Sequence, residues 1–226
     1  MTTTAKLKIY GKPASRVFRV VWCASELDLD FELIPITSAD GSISSPEYLA
    51  INPNGKIPAI IDGQFALWES QAINFYLVGK YDSRSEKGLR PRTSEANALA
   101  LQWSFWAMAE LDGPFVTIMW HRANLPKPQR DAELANRAEA SMQAPLMILD
   151  EALAPRGYLA GDRFGLADLN VAGILSWAVE VGRLNLAPFP NVARWLKACY
   201  DRPAAIRVDP VRAMAAKAKA AAAAPS

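Results

Sequence analysis

The sequence predicts an α+β protein in two parts: a small mixed four-stranded sheet with helices on its faces, then an all-helical domain. Three observations carry that expectation. Up to about residue 82, short runs that read as strands alternate with longer runs of helical period. A charged stretch containing Gly and Pro, "DSRSEKGLRPRTSEA" (Asp82–Ala96), breaks the pattern and reads as a linker. Beyond it nearly every apolar residue recurs at helical spacing. The boundaries expected on this basis are a sheet domain over 1–82, a linker over 83–93, a helical domain over 94–212 and a low-complexity Ala/Lys tail over 213–226.

The elements follow in order. "KLKIY" (Lys6–Tyr10) is a strand with Leu7 and Ile9 on one face. After a "GKPAS" loop, Val17, Val20, Val21, Ala24 and Leu27 mark a helix, and "DFELIPI" is a second strand closing a βαβ unit. "SPEYLAI" suggests a short helical turn. "IPAII" (Ile57–Ile61), the Asp62-Gly63 turn and "QFALW" form a hairpin, because Asp-Gly suits a two-residue reversal. "SQAINFYLVGK" returns to helical spacing. Pro58 is the anomaly here: a proline removes a ladder donor, and is tolerated at an edge, at a bulge or in a cis bond. In the second part, helices are expected from about Ser94 to Met119, Arg130 to Leu153, Leu166 to Val181 and Asn191 to Tyr200. "LADLNVAGILSWAV" is apolar on nearly all sides and belongs in the middle of a bundle. Pro145 fits poorly inside the second of these helices, where it costs about 3 kcal/mol.

Composition narrows the function classes. The 25 basic and 23 acidic residues are interspersed, so no basic stripe points to nucleic acid. No apolar run approaches the roughly 20 residues of a membrane span. Cys23 and Cys199 lie far apart, and with no signal peptide apparent the expectation is reduced thiols in a cytoplasmic protein. The lone His121 has no second His or Cys at ligand spacing, so no metal site is expected.

Three segments together resemble the cytosolic glutathione transferase family, over roughly Lys6 to Arg207. The first is "NPNGKIPAI" followed by "LWESQAI". The resemblance implies a thioredoxin-like first domain in which the peptide bond before Pro58 is cis. It also implies that the N–H and C=O of Ile57 pair, strand to strand, with the cysteinyl main chain of glutathione. Glu69 and Ser70 stand where the hairpin meets a helix, and Ser70 is a plausible N-cap. By resemblance, Ser70 holds the γ-glutamyl carboxylate at the helix N-terminus, Glu69 takes the α-ammonium, and Lys56 faces the glycyl carboxylate. The second segment, "YLAGDRFGLADLNVA", matches the family's helix cap, with Asp168 three residues after Gly165 and with Phe164 and Leu169 placed as a hydrophobic staple.

The third segment, "YGKPASRVFRVVW", is where the family places the hydroxyl that activates the thiol. A free thiol of this kind has a pKa of about 8.5, so a hydroxyl hydrogen bond and a helix N-terminus are needed to favour the thiolate. Three assignments stand side by side. Ser15 lies at the expected helix start, four residues before Arg19, as in serine-type members. Tyr10 ends the first strand six residues before Arg16, as in tyrosine-type members. An alignment shifted by one puts Ala14 at the position and leaves no hydroxyl there. Cys23 falls inside the helix and reads as a small core residue.

The resemblance further implies a homodimer and a pocket for a small, largely apolar electrophile. Its expected walls are Lys12 and Ala14 together with Trp103, Trp106 and Glu110, which share a face by helical spacing. The expected activity is conjugation of glutathione, as in detoxification, with glutathione as co-substrate and no metal. Glutathione-dependent peroxide reduction or isomerisation, and a non-catalytic ligand- or protein-binding module, are the alternatives on the same fold.

Overall fold

The computed structural model describes residues 6–82 and 88–211. Residues 83–87 of the expected linker and the expected tail lie outside this range. The chain divides into two units, one running to Leu89 and resuming at Arg202, the other Arg90–Asp201.

In the first unit, strand β1 (Leu7–Tyr10) lies between β2 (Phe31–Ile34), to which it is parallel, and β3 (Ala59–Asp62), to which it is antiparallel; β4 (Phe65–Trp68) pairs antiparallel with β3. The order is β2-β1-β3-β4. Leu7 and Ile9 are buried while Lys8 between them is exposed, the period-two pattern of a strand with one covered face. Helix α1 (Phe18–Glu26) supplies Phe18, Val21 and Trp22 to the core; α2 (Pro46–Leu49) is a single turn capped by Ser45; α3 (Ser70–Tyr81) follows the hairpin and packs on α1. Asp62 still belongs to β3 and pairs with Phe65, so the two-residue reversal is Gly63-Gln64 rather than the expected Asp62-Gly63, and Gly63, at φ +66°, takes its left-handed position.

The second unit opens with α4 (Ser94–Ala107), capped by the Thr93 hydroxyl, which accepts the Ala96 N–H at 3.1 Å. A wide turn over Met108–Asp112 leads into α5 (Gly113–Met119). Next come α6 (Ala132–Ser141), α7 (Gln143–Leu153), α8 (Leu166–Ile174) and α9 (Pro190–Tyr200). Every residue of α8 is buried, and the helix packs against α4 and α9. Asp168 at its start accepts from Trp195 Nε1 at 2.8 Å and from the main-chain N–H groups of Leu159 and Gly165, each at 3.0 Å. Burial outweighs these three donors and pushes its carboxyl up to about 6. Phe164 and Leu169 are both buried.

Three elements differ from expectation. The helix expected over Arg130–Leu153 breaks at Met142 (φ −82°, ψ −9°), which places Pro145 in the first turn of α7, where a missing N–H costs little. The helix expected to reach Val181 ends at Ile174, and Trp177 adopts φ +59°. Leu175, Ser176 and Ala178 in the following turn are buried, so the apolar run reports burial rather than helicity. The third difference is at the end of the chain. Residues from Arg202 on were expected in the helical domain, but α10 (Pro203–Val208) packs on α1 in the first unit. Arg202 there donates to both oxygens of Glu26 at 2.7 Å, and the Trp22 indole N–H reaches Glu26 at 3.0 Å. The nearly buried Glu26 carboxylate needs such partners, and periodicity carries no trace of this long-range pairing.

Candidate functional site

The register of the sheet brings three chain segments together. Tyr10 pairs with Ala59, and Ala59 with Trp68. The residues just beyond those pairs therefore meet at one end of the sheet: Gly11 after β1, Ile57–Pro58 before β3, and Glu69–Ser70 after β4. The Ile57–Pro58 bond is cis, and β3 begins only at Ala59, so the proline precedes the strand rather than interrupting it. Among the described residues, neither the N–H nor the C=O of Ile57 has a hydrogen-bond partner. The carbonyl before it is held twice. Tyr48 Oη donates to Lys56 O at 2.5 Å and Asn52 Nδ2 donates to the same atom at 2.6 Å. The Lys56 side chain is exposed.

Gly11 ties the next loop to this corner. It sits at φ +122°, and a Cβ there would lie 2.4 Å from Val17 Cγ2 and 3.1 Å from Ile57 Cβ, so only glycine fits. Beyond Lys12 the chain makes a wide turn in which Ala14 (ψ +40°) and Ser15 (φ −155°, ψ −168°) are non-helical. Ser15 is half-buried and caps the start of the helix. Its Oγ accepts the Val17 N–H at 3.2 Å and donates to Lys12 O at 2.7 Å. Ala14 and Lys12 are exposed. Tyr10 is half-buried, with its ring 5.7 Å from that of Tyr48. Burial, with Glu26 and Asp82 adding, pushes the Cys23 thiol up, so this buried cysteine is inert.

On the other side of the corner, Glu69 is exposed and takes φ +74°, ψ +113°, a conformation that a non-glycine residue adopts only at a cost. The first intrahelical bond of α3 runs from Ile73 N to Glu69 O at 2.9 Å. The N–H groups of Ser70, Gln71 and Ala72 precede it and have no acceptor within the helix. Ser70 is the first residue of the helix rather than the N-cap expected from the sequence, a position that Glu69 takes, and its Oγ accepts from Arg19 Nη1 at 3.4 Å. Arg19 is only 4% exposed, and its own carbonyl accepts from Asn74 Nδ2 at 3.3 Å. A buried guanidinium at the first turn of α1 thus faces the first turn of α3. Sequence reasoning used Arg19 only as a spacing marker and passed over Tyr48 and Asn52. The Asn two residues before the Asn-Gly turn was the one available signal for that pair.

The expected pocket residues of the second unit are placed as follows. Trp103 is buried in the bundle, and Trp106 stands edge-to-face to it at 5.1 Å and is half-buried. Glu110 is exposed within the wide turn after α4, so its position does not follow the straight α-helical spacing that grouped it with the two tryptophans. Lys12 and Ala14 belong to the first unit. His121 Nδ1 accepts the Asp131 N–H at 3.0 Å, which is a structural use of the ring. Among the described residues no group of three or more His, Cys, Asp or Glu could hold a metal ion, and no helix is long and apolar enough to cross a membrane.

Comparison with known proteins adds family evidence. The family profile described as glutathione S-transferase, N-terminal domain, matches residues 5–79, and the corresponding C-terminal domain profile matches residues 106–203. Glutathione S-transferase 3 of Zea mays is 36% identical over 209 residues, covering 88% of this chain and 91% of the relative. The disulfide-bond oxidoreductase YfcG of Escherichia coli strain K12 is 30% identical, covering 88% and 92% of the two chains. The theta-class glutathione S-transferase of Xanthomonas axonopodis pv. citri, solved with glutathione bound, superposes with a TM-score of 0.82 at 30% identity over 89% of this chain and 95% of that one.

Proposed function

This chain belongs to the glutathione S-transferase family, and from that premise we propose that it activates glutathione as a thiolate for attack on small apolar electrophiles, as a homodimer in the cytoplasm. The observation that carries the reading is the uncovered main-chain pair of Ile57 beside the N-terminus of α3. Ile57 offers one donor and one acceptor at the end of a sheet, the requirement for an extended peptide to add as a strand. Ser70 and the N–H groups of the first turn of α3 receive the γ-glutamyl carboxylate, where the helix dipole favours an anion. Glu69, exposed and held by its backbone at the mouth of that turn, takes the α-ammonium. Lys56 reaches the glycyl carboxylate from the opposite side.

The thiol then falls against the loop from Lys12 to Ser15. The N-terminus of α1 and a hydroxyl donor favour the sulfur anion there. Ser15 is the hydroxyl best placed to serve, because it lies at the helix start and turning its O–H from Lys12 O toward sulfur leaves its cap bond to Val17 intact. The sulfur lone pair forms the new S–C bond, and the leaving group departs with the displaced electron pair. The likeness to a disulfide-bond oxidoreductase supports a second reading, thiol-disulfide or peroxide chemistry run by the same bound thiolate.

Titration of the thiolate absorbance of bound glutathione tests the proposal. A bound-thiol pKa well below the free value, with product formed from a model aryl halide, supports conjugation. A depressed pKa with turnover only on peroxides or disulfides favours the second reading. An unshifted pKa overturns both. Sedimentation at micromolar protein tests the homodimer.

A further inference from the structure

Lys56 O and the Ile57 N–H belong to one peptide unit. That unit is planar, and the cis bond recorded in this segment is the following one, so the carbonyl and the N–H point in opposite directions across the Lys56–Ile57 plane. A carbonyl oxygen has two lone pairs. Here both are engaged, by Tyr48 Oη and Asn52 Nδ2. Two donors converging on one oxygen hold the plane against rotation, and holding the oxygen inward aims the N–H outward.

The donors are themselves built in. Tyr48 is 3% exposed; its N–H donates to Ser45 Oγ at 3.2 Å and its ring lies tilted against that of Tyr10, 5.7 Å away. Asn52 is 2% exposed, and its Oδ1 accepts from the main-chain N–H of Asn54 at 3.1 Å and from Asn54 Nδ2 at 3.0 Å. A main-chain N–H can only donate, so the Asn52 amide has one orientation that satisfies both ends, and in it the NH2 faces Lys56 O. Burial, opposed by the Asn52 hydrogen bond and reinforced by Tyr10, pushes the Tyr48 hydroxyl up to about 12, which keeps it a donor throughout the neutral range.

We propose that Tyr48 and Asn52 are positioning residues for glutathione binding: by clamping the Lys56 carbonyl they aim the Ile57 N–H at the cysteinyl carbonyl of the tripeptide. This rests on the reading of the site given above. Neither residue touches the ligand. Their contribution is orientation, so it is specific to ligands that carry that carbonyl.

The test uses the full-length protein as wild type, Tyr48→Phe and Asn52→Asp. Each variant removes one donor to Lys56 O while keeping the side-chain shape, and Asp at 52 keeps the acceptor for Asn54. Binding is measured by calorimetry for glutathione and for γ-glutamylcysteamine, which retains the γ-glutamyl group and thiol but lacks the cysteinyl carbonyl and the glycine. Each variant is expected to raise the Kd for glutathione about three- to tenfold, the cost of one misaligned hydrogen bond, while the Kd for γ-glutamylcysteamine stays within about twofold. KM for glutathione should rise in parallel, with kcat at saturation nearly unchanged. Unchanged glutathione affinity in both variants, or equal losses for the two ligands, overturns the proposal and leaves the site reading standing. A wild-type protein that binds neither ligand overturns both.

Discussion

The Ser15 hydroxyl donates a hydrogen bond to the Lys12 carbonyl at 2.7 Å and accepts one from the Val17 N–H at 3.2 Å. One small side chain therefore both closes the loop after β1 and caps the helix that follows. These two duties separate in mutants. Ser15→Ala is expected to lower stability by about 1 kcal/mol through the lost cap and to raise the pKa of bound glutathione's thiol by about one unit. Ser15→Gly should recover most of the stability without restoring the thiol pKa. Tyr10→Phe should leave the titration as in wild type. If Ser15→Ala titrates like wild type and Tyr10→Phe does not, the activating hydroxyl is Tyr10.

The two ends of the tripeptide are tested separately. Ser70→Ala should weaken glutathione binding about tenfold, because a buried charge-assisted hydrogen bond is lost. Lys56→Ala should weaken it only about threefold, since the lysine is exposed and its ion pair is screened. Calorimetry reads both, and wild-type affinity in both variants would remove the site from this corner.

Asp168 makes a pH prediction in the second unit. Its folded pKa, about 6, lies above the ordinary 3.8 expected of the unfolded chain. The folded protein therefore holds a proton between these values that the unfolded chain has lost. The stability that this proton brings is fully present below pH 3.8 and disappears as pH rises through 6, a change of about 3 kcal/mol. Asp168→Asn removes the titration. Denaturant unfolding at pH 4, 5, 6 and 7 should show the wild-type advantage over Asp168→Asn shrinking across that range. A constant difference would mean that the carboxylate does not hold its proton.

Asp62 behaves in the opposite sense. Burial pushes its carboxyl up, but hydrogen bonds from Lys80, Tyr81 and Tyr76 outweigh it and hold the carboxyl below its usual range. All three donate to one oxygen, Oδ2, at 2.6, 2.7 and 2.8 Å. The stability from this cluster is present above the ordinary Asp pKa and is lost as pH falls through the lowered one. Tyr76→Phe and Tyr81→Phe should each cost about 1 kcal/mol or less at neutral pH, and the double variant more than the sum, because in either single variant the remaining donors compensate on the freed oxygen. Strict additivity in thermal or denaturant unfolding would contradict a shared acceptor.

Much of the candidate site was readable because it is local. The cis proline, the hairpin glycine Gly63, the Glu-Ser helix start and Asp168 three residues after Gly165 each lie within a few residues of the group they act on, and short-range spacing encodes such relations. Arg19 facing Ser70 joins positions 51 residues apart, and Arg202 on Glu26 joins positions 176 apart. Periodicity marks that such residues lie on a covered face but not what covers them. Tyr48 reads in sequence as an ordinary aromatic in a helical turn, and its role rests on an eight-residue return of the chain to Lys56.

By itself the sequence determined that a strand-bearing first part is followed by a helical one, where most of the elements lie, and that a proline stands just before β3. Those are consequences of side-chain period and of backbone chemistry that each residue carries with it. Only the tertiary structure decided that α10 returns to the sheet unit, that α8 stops at Ile174 while the apolar run continues, and that the Ser15 hydroxyl is already engaged by Lys12. Each of these depends on which distant or folded-back atoms satisfy a buried charge, a buried surface or a hydroxyl, and those partners exist only once the chain has closed on itself.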